Sequence, residues 1–190
     1  MDRAIIVHGL FPEKYFYING LDSPSNSHWV PWLQQQLCRH DILTQTPEMP
    51  RPFAPDYNAW KSELELLKPD ENTILVGHSC GGGFLIRWLS DNPQVTVRKV
   101  VLVAPWLDIE KKRSPLFDFS LRSNIVDQSK GGIDILYSTN DLLPIKTTME
   151  YLRQNLENVN YHEFVDYGHF TLESMHTREF PELLRICLGN

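Results

Sequence analysis

Apolar residues follow two patterns that alternate along the chain. The first is the short run, at Ala4–Val7, Ile42–Thr46, Thr73–Gly77, Val100–Val103, Ile133–Tyr137 and Val159–Phe164. Several of these runs are continuous, as in strands covered on both faces of a parallel sheet. The second pattern has a helical period. Trp29, Leu33 and Leu37 recur at every fourth position, and Phe84, Leu85, Trp88 and Leu89 form one stripe. Ile145, Met149, Leu152 and Leu156 repeat at helical spacing, and Phe180, Leu183, Leu184, Cys187 and Leu188 give a last apolar face. Six strands with interleaved helices predict an α/β fold, a six-stranded parallel sheet with helices on both faces, in a single domain over residues 1–190. The chain shows no internal repeat and no low-complexity tract.

Three connections are longer than such a sheet requires. They are Leu10–Ser27, the proline-rich Pro47–Asp56, and Pro105–Gly131. Loops beyond the C-terminal ends of parallel strands are where these folds place their sites, so the three are expected to wall a pocket. For Pro47–Asp56 a plain solvent-exposed connection is an equal alternative.

Composition narrows the function classes. The 190 residues carry a formal charge of −6, with 42% apolar and 22% charged residues. This is an ordinary globular balance with no basic stripe to meet phosphates, which argues against nucleic acid or an anionic membrane as partner. The apolar part of Met1–His8 is too short for a signal peptide, and no apolar run approaches the ~20 residues that span a bilayer. Cys38, Cys80 and Cys187 are scattered and odd in number, which points to free thiols in a reducing compartment. The expected location is therefore the cytoplasm. No Cys/His spacing fits a zinc site, and neither a metal nor a cofactor is expected.

The chemistry is carried by Gly77-His78-Ser79-Cys80-Gly81, set between the run Thr73–Val76 and the stripe beginning at Phe84. Strand, Gly-x-Ser-x-Gly, helix is the arrangement of a nucleophile elbow. Glycines flank a turn too tight for side chains, and the Ser79 hydroxyl is pushed to its crest at a helix N-terminus. Cys80 is a rival nucleophile, but shifting the motif by one would put His78 where the turn needs glycine. A serine needs a histidine base, and the histidine needs a carboxylate, in the chain order Ser, acid, His. Asp141 follows the run Ile133–Tyr137 and stands at its C-terminal end. Asp134 lies early in that run and is the poorer choice; Asp108 is the runner-up. Of the histidines after Asp141, His162 falls inside a strand and His176 close to the last helix. His169 lies in the loop just past the last strand, after Gly168. The catalytic candidates are thus Ser79, Asp141 and His169. The backbone N–H groups of Cys80 and of Leu10, in His8-Gly9-Leu10, are the candidate oxyanion donors. His8 and His78 are expected to pack or hydrogen-bond beside the elbow.

With these residues in place, the chain resembles the small α/β-hydrolases of the retinoblastoma-binding-protein-nine-like family, which includes bacterial proteins of the YdeN type. The resemblance rests on Asp70–Ser79, on Ser138-Thr139-Asn140-Asp141 with Leu143-Pro144, on Asp166-Tyr167-Gly168-His169-Phe170 and on His28-Trp29-Val30-Pro31-Trp32-Leu33. It implies a six-stranded α/β-hydrolase sheet, no large lid domain, and esterase or aminopeptidase-like amidase activity on small acyl substrates. It supports Ser79, Asp141 and His169 in their roles. The mammalian member's Leu-x-Cys-x-Glu segment, associated with binding the retinoblastoma protein, reads Leu67-Lys68-Pro69-Asp70-Glu71 here, so that partner is not carried over.

Two functional readings follow. The first is a cofactor-independent serine hydrolase working through an acyl-enzyme on Ser79. The second is a hydrolase scaffold, weakly active or inactive, that acts mainly as a protein-interaction module. For the pocket, Phe11, Tyr15, Phe16, Tyr17, Trp106, Phe117 and Phe119 are candidates for an apolar mouth, with ordinary core packing as the alternative for each. Asp108, Glu110 and Asp118 are candidates for holding a substrate amine, although Lys111, Lys112 and Arg113 beside them read equally as a solvated charged face.

Overall fold

Each of the six apolar runs forms a strand: β1 (Arg3–Val7), β2 (Leu43–Gln45), β3 (Thr73–His78), β4 (Lys99–Val103), β5 (Ile133–Ser138) and β6 (Val159–Phe164). The structure, a computed structural model, describes residues 1–112 and 114–189; Arg113, part of the charged stretch above, and Asn190 lie outside the described residues. The strands pair in the order β2-β1-β3-β4-β5-β6, every pair parallel. The central strands carry the continuous apolar runs because both faces are covered: every residue of β3 is buried. At the edge, β6 has no buried residue, only half-buried and exposed positions. The other edge strand, β2, is shorter than its run suggested, because β1 offers it partners only from Arg3 to Ile5.

The helices are α1 (Glu13–Phe16, one turn), α2 (Val30–Arg39), α3 (Tyr57–Leu66), α4 (Cys80–Asp91), α5 (Leu143–Asn155), α6 (Leu172–Met175, one turn) and α7 (Pro181–Leu188). Their starts are legible in local chemistry. Proline opens α2, α5 and α7, and the Asp56 carboxylate caps α3 by accepting the Ala59 N–H at 2.9 Å. The strand order then decides the layers. Crossovers between parallel strands are right-handed, so a step in one direction along the sheet puts its helix on one face and the reverse step puts it on the other. β1 to β2 steps one way, with α2; all later steps run the other way, with α3, α4 and α5. α7 packs on α2, where the Trp29 and Phe180 rings meet at 6.3 Å. On the opposite face α3 meets α4 through Trp60 and Phe84, 5.4 Å apart. The predicted helical stripes are the buried faces, with Trp29, Leu33, Leu37, Phe84, Leu85, Leu89, Leu152 and Phe180 fully enclosed. Burying each such side chain contributes about 1.5–3 kcal/mol.

The reversal of direction occurs between β1 and β3. There the connections leaving the two strands diverge to opposite faces, which opens a crevice beyond their C-terminal ends.

Candidate active site

Ser79 stands in that crevice, between the last residue of β3 and the first of α4. Its backbone is at φ 52°, ψ −118°, a sparsely populated conformation for a side chain with a Cβ. Such a residue costs about 1–3 kcal/mol and persists only where its surroundings over-determine it. Here the Ser79 N–H donates to the Val103 carbonyl at 2.9 Å, and its own carbonyl accepts from Gly83 at 3.1 Å and Trp106 at 2.9 Å. The glycines make room for the turn. A Cβ on Gly81 would lie 2.4 Å from the Val7 and His8 carbonyl oxygens, and one on Gly83 would lie 1.9 Å from that of Trp106.

The other candidates come to meet the serine. His169 Nε2 lies 2.8 Å from Ser79 Oγ, and its Nδ1 lies 2.9 and 3.2 Å from the two carboxylate oxygens of Asp141. With Nδ1–H donating to the carboxylate, Nε2 holds a lone pair that faces the Ser79 hydroxyl. The Asp141 side chain is 1% exposed and that of His169 21%, so the acid is enclosed while the base reaches the open cleft. The Leu142 N–H also donates to Asp141 Oδ1, at 2.6 Å. The runners-up stay away. Asp108 is buried and accepts the Ser114 N–H at 2.8 Å, in the third long loop. Asp134 pairs with His162 and Lys99 farther back in the sheet.

Two residues of the Ser138–Asp141 turn do work that sequence reasoning did not assign. Ser138 Oγ accepts the Tyr167 N–H at 3.0 Å, and Asn140 Oδ1 accepts the Gly168 N–H at 2.8 Å. The Ser138 hydroxyl itself donates to Asn140 Oδ1 at 2.7 Å. The turn bearing Asp141 is thereby tied to the loop bearing His169. Gly168, at φ +53°, makes the bend before His169. The signal was present, since Ser138 and Asn140 belong to the acid-turn motif, but their partners are backbone groups that no side-chain pattern reveals.

Three further histidines surround the site. His78, enclosed beneath it, donates from Nε2 to the His169 carbonyl at 2.9 Å, and its ring lies 5.1 Å from the His169 ring. His28 accepts the Leu172 N–H on Nδ1 at 3.1 Å and meets the His78 ring edge-on. His8 accepts the Met49 N–H on Nε2 at 2.9 Å and donates from Nδ1 to the Gly9 carbonyl at 2.8 Å, which ties the second long loop to the first. Burial lowers the pKa of all three, and that of His78 most strongly. Burial thus opposes positive charge on all three rings.

The Leu10 and Cys80 N–H groups donate to no other described residue. Leu10 lines the cleft with Ser79, and the Cβ position of Gly9 is 3.0 Å from Ser79 Cβ. The Cys80 side chain is buried, which pushes its thiol pKa far up and makes it a poor nucleophile.

Ser79 and His169 open onto a cleft of about 770 Å³. All three long loops contribute walls: Leu10 from the first, Arg51 and Phe53 to Asp56 from the second, and Trp106, Ser114 and Pro115 from the third. Leu142, Pro144 and Ile145 complete it. Of the aromatic candidates only Trp106 lines this cleft. Phe117 packs beneath it at 5.0 Å between ring centres, and Phe11, Phe16 and Tyr17 cluster around Phe53, the aromatic of the second loop that does line the cleft. None of Asp108, Glu110 and Asp118 reaches the cleft: Glu110 pairs with Lys112 and Asp118 with Lys111. Asp108 and Glu110 instead line a smaller pocket that shares Trp106 and Pro144 with the cleft. Arg87 of α4 anchors that loop from below, donating to the Pro115 and Leu116 carbonyls at 3.1 and 2.7 Å while lying 3.6 Å over the Tyr57 ring.

Comparison with known proteins bears on the family and the fold. A family model described as serine hydrolase matches residues 15–186. Among solved structures, the ydeN gene product of B. subtilis is 22% identical, with 100% of this chain and 98% of that one covered at a TM-score of 0.80. A pyrethroid hydrolase from Sphingobium faniae is 11% identical, with 93% of each chain covered and a TM-score of 0.61. A bromoperoxidase from Bacillus anthracis is 16% identical over 100% of this chain and 92% of that one, with a TM-score of 0.63. At these identities the likeness is one of fold, and the span from hydrolase to peroxidase leaves function to the site itself. A search of curated proteins finds no match. Among the described residues no helix is long and apolar enough to cross a membrane.

Proposed function

The chain belongs to the serine hydrolase family, and from that premise we propose that it cleaves small esters or amides through an acyl-enzyme on Ser79, with no cofactor. The observation that carries this reading is the continuous line of hydrogen-bond distances Ser79 Oγ, His169, Asp141 at the floor of an apolar cleft. His169 Nε2 takes the hydroxyl proton as Ser79 Oγ attacks the carbonyl carbon. Asp141 orients the imidazole and supports its charge. The oxyanion is received by the Leu10 N–H of the first long loop and the Cys80 N–H at the α4 N-terminus, where the free amide and helix dipole favour negative charge. His169 then protonates the leaving group, and water releases the acid. The acyl group rests against Trp106, Leu142 and Ile145, so short apolar acyl chains are the expected substrates.

Labelling with a fluorophosphonate probe tests the reading. The wild type is expected to label and Ser79→Ala not to. A folded wild type that stays unlabelled would overturn it and leave the interaction-module reading standing.

A further inference from the structure

The large cleft has room beyond a short acyl chain. Its volume of about 770 Å³ falls within the roughly 300–1,000 Å³ of sites that enclose a whole small molecule. Trp106, Leu142 and Ile145 form one part of its lining, and the second long loop supplies another. Apart from His169, the charged residues of the lining are Arg51 and Asp56, both from that loop. Asp56 is committed elsewhere: its Oδ1 accepts the Ala59 N–H at 2.9 Å as the N-cap of α3, where the helix dipole favours a carboxylate. The Arg51 guanidinium has no such partner. No described residue accepts a hydrogen bond from it or forms an ion pair with it. Its Cζ lies 5.8 Å from the centre of the Phe53 ring, which belongs to the same wall.

An exposed arginine is ordinarily a solvated group on an unconstrained stretch of surface. The backbone under Arg51 is built differently. It stands at φ +47° immediately before Pro52. A residue with a Cβ seldom adopts this left-handed conformation, and a following proline drives it toward extended backbone instead. The neighbours hold it there. His8 Nε2 accepts the Met49 N–H at 2.9 Å, and the Pro50 carbonyl accepts the indole N–H of Trp60 at 2.8 Å. The Arg51 carbonyl accepts the Ala54 N–H at 2.8 Å, and that of Pro52 accepts the Phe11 N–H at 3.2 Å. Proline on both sides fixes φ at each flank. Backbone strain held this firmly, under a side chain that faces a cleft and has no protein partner, is the pattern of a ligand clamp.

We propose that Arg51 binds a carboxylate on the leaving portion of the substrate, so that the protein acts on acyl groups joined to a hydroxy- or amino-carboxylic acid. The inference rests on the acyl-enzyme reading above. With the acyl chain against Trp106, Leu142 and Ile145, the second-loop wall is left to the alcohol or amine portion. The planar fork of guanidinium donors matches the two oxygens of a carboxylate, and it stays charged throughout the range in which a histidine titrates. One unpaired cation in a chain of net charge −6 suits a singly charged carboxylate better than a doubly charged phosphate. Arg51 thus sets specificity and takes no part in proton transfer.

The test compares 3- and 4-acetoxybenzoate with the corresponding acetoxybenzamides, which keep the shape and lack the charge, on the wild type, Arg51→Gln and Arg51→Lys. In Arg51→Gln the ratio of kcat/KM for carboxylate over carboxamide is expected to fall about tenfold, the size of one hydrogen bond to a charged group. The change should appear mainly in KM, because the contact is the same in the ground and transition states. Arg51→Lys keeps the charge without the fork and should retain part of the preference, and added salt should erode the preference of the wild type. An unchanged ratio in Arg51→Gln overturns the proposal. So does a larger effect on mono-p-nitrophenyl adipate against p-nitrophenyl hexanoate, which would put the charge on the acyl side, or on 4-acetoxyphenyl phosphate, which would make phosphate the ligand. In all of these cases fluorophosphonate labelling of Ser79 persists. Absence of that labelling in the folded wild type overturns the acyl-enzyme reading, and the role of Arg51 falls with it.

Discussion

The protein contains two Asp–His pairs between the same two segments of chain. Asp141 meets His169 at 2.9 Å, and Asp134 meets His162 at 2.7 Å, each across 28 residues. In both, the carboxylate is nearly enclosed and the imidazole more open. What differs is place and company. Asp134 lies inside β5 and His162 inside β6, so both point from the sheet, and the second carboxylate oxygen faces Lys99 Nζ of β4 at 2.8 Å. Asp141 and His169 lie beyond the ends of the same strands, where the chain can bend and bring the imidazole to Ser79. The lower pair is a charge cluster across neighbouring strands; the upper pair has the Ser79 hydroxyl at 2.8 Å and a cleft in front of it. An Asp–His pair is therefore not by itself a catalytic signature. Its position relative to the strand ends, and the third group it meets, decide what it does.

Breaking each pair should separate the two roles. Asp141→Asn keeps the shape but removes the charge that fixes the His169 tautomer. The expected loss is a factor on the order of 10⁴ in kcat, measured on a small ester, with little change in thermal stability. A loss below tenfold would reduce Asp141 to a packing residue. Asp134→Asn should do the reverse: Lys99, only 14% exposed, loses its countercharge. Chemical denaturation should show a destabilisation of about 3 kcal/mol with kcat/KM nearly unchanged. A large fall in activity at full stability would contradict the structural role of the lower pair.

The pairs also differ in their neighbours, and pH exposes the difference. The upper pair is flanked by His78, His28 and His8, whose pKa values burial lowers from the ordinary 6.5. In the unfolded chain these groups take up protons as pH falls through about 6.5, while in the folded protein they do not. The unfolded state then binds more protons, so stability falls with falling pH, by about 1.4 kcal/mol per pH unit for each histidine still neutral in the fold. The loss begins near pH 6.5 and continues downward until the lowered folded values are reached. His78, the most strongly shifted, should carry the largest part, and His78→Phe should flatten the dependence of unfolding free energy on pH between 6.5 and 5. An unchanged slope would show that His78 is charged in the fold.

The smallest expected effect concerns the tie between acid turn and base loop. Ser138→Ala leaves the Tyr167 N–H without its acceptor, a cost of about 1–2 kcal/mol in stability. With His169 less firmly placed, kcat should fall by roughly tenfold while KM holds, as expected where catalytic geometry loosens without loss of the cleft. Equal effects on both constants would place Ser138 in binding instead.

Much of this molecule is determined locally and is therefore legible along the chain. The six strands follow from apolar runs, the stripes from helical period, and the candidate nucleophile from a glycine-flanked serine between a run and a stripe, because each depends on neighbours a few residues away. The choice of Asp141 over Asp134 and of His169 over His162 also followed from position along a strand, since a parallel sheet sends all its C-terminal ends to one side. The pocket walls followed the same logic at the level of loops, and failed at the level of side chains. Tyr15 and Tyr17 look like pocket aromatics but are exposed, whereas Phe53, in a proline-rich stretch that gave no such signal, lines the cleft. The third-loop acids turned to nearby lysines, and Asp108 turned to the backbone of its own loop. The Ser138 and Asn140 ties and the buried histidines around His169 were decided only by tertiary structure. Each depends on which backbone amides and ring nitrogens meet from positions 28 to 144 residues apart, as when Gly168 donates to Asn140 and Leu172 to His28, and hydrogen bonds to backbone groups leave no periodic trace in side-chain identity.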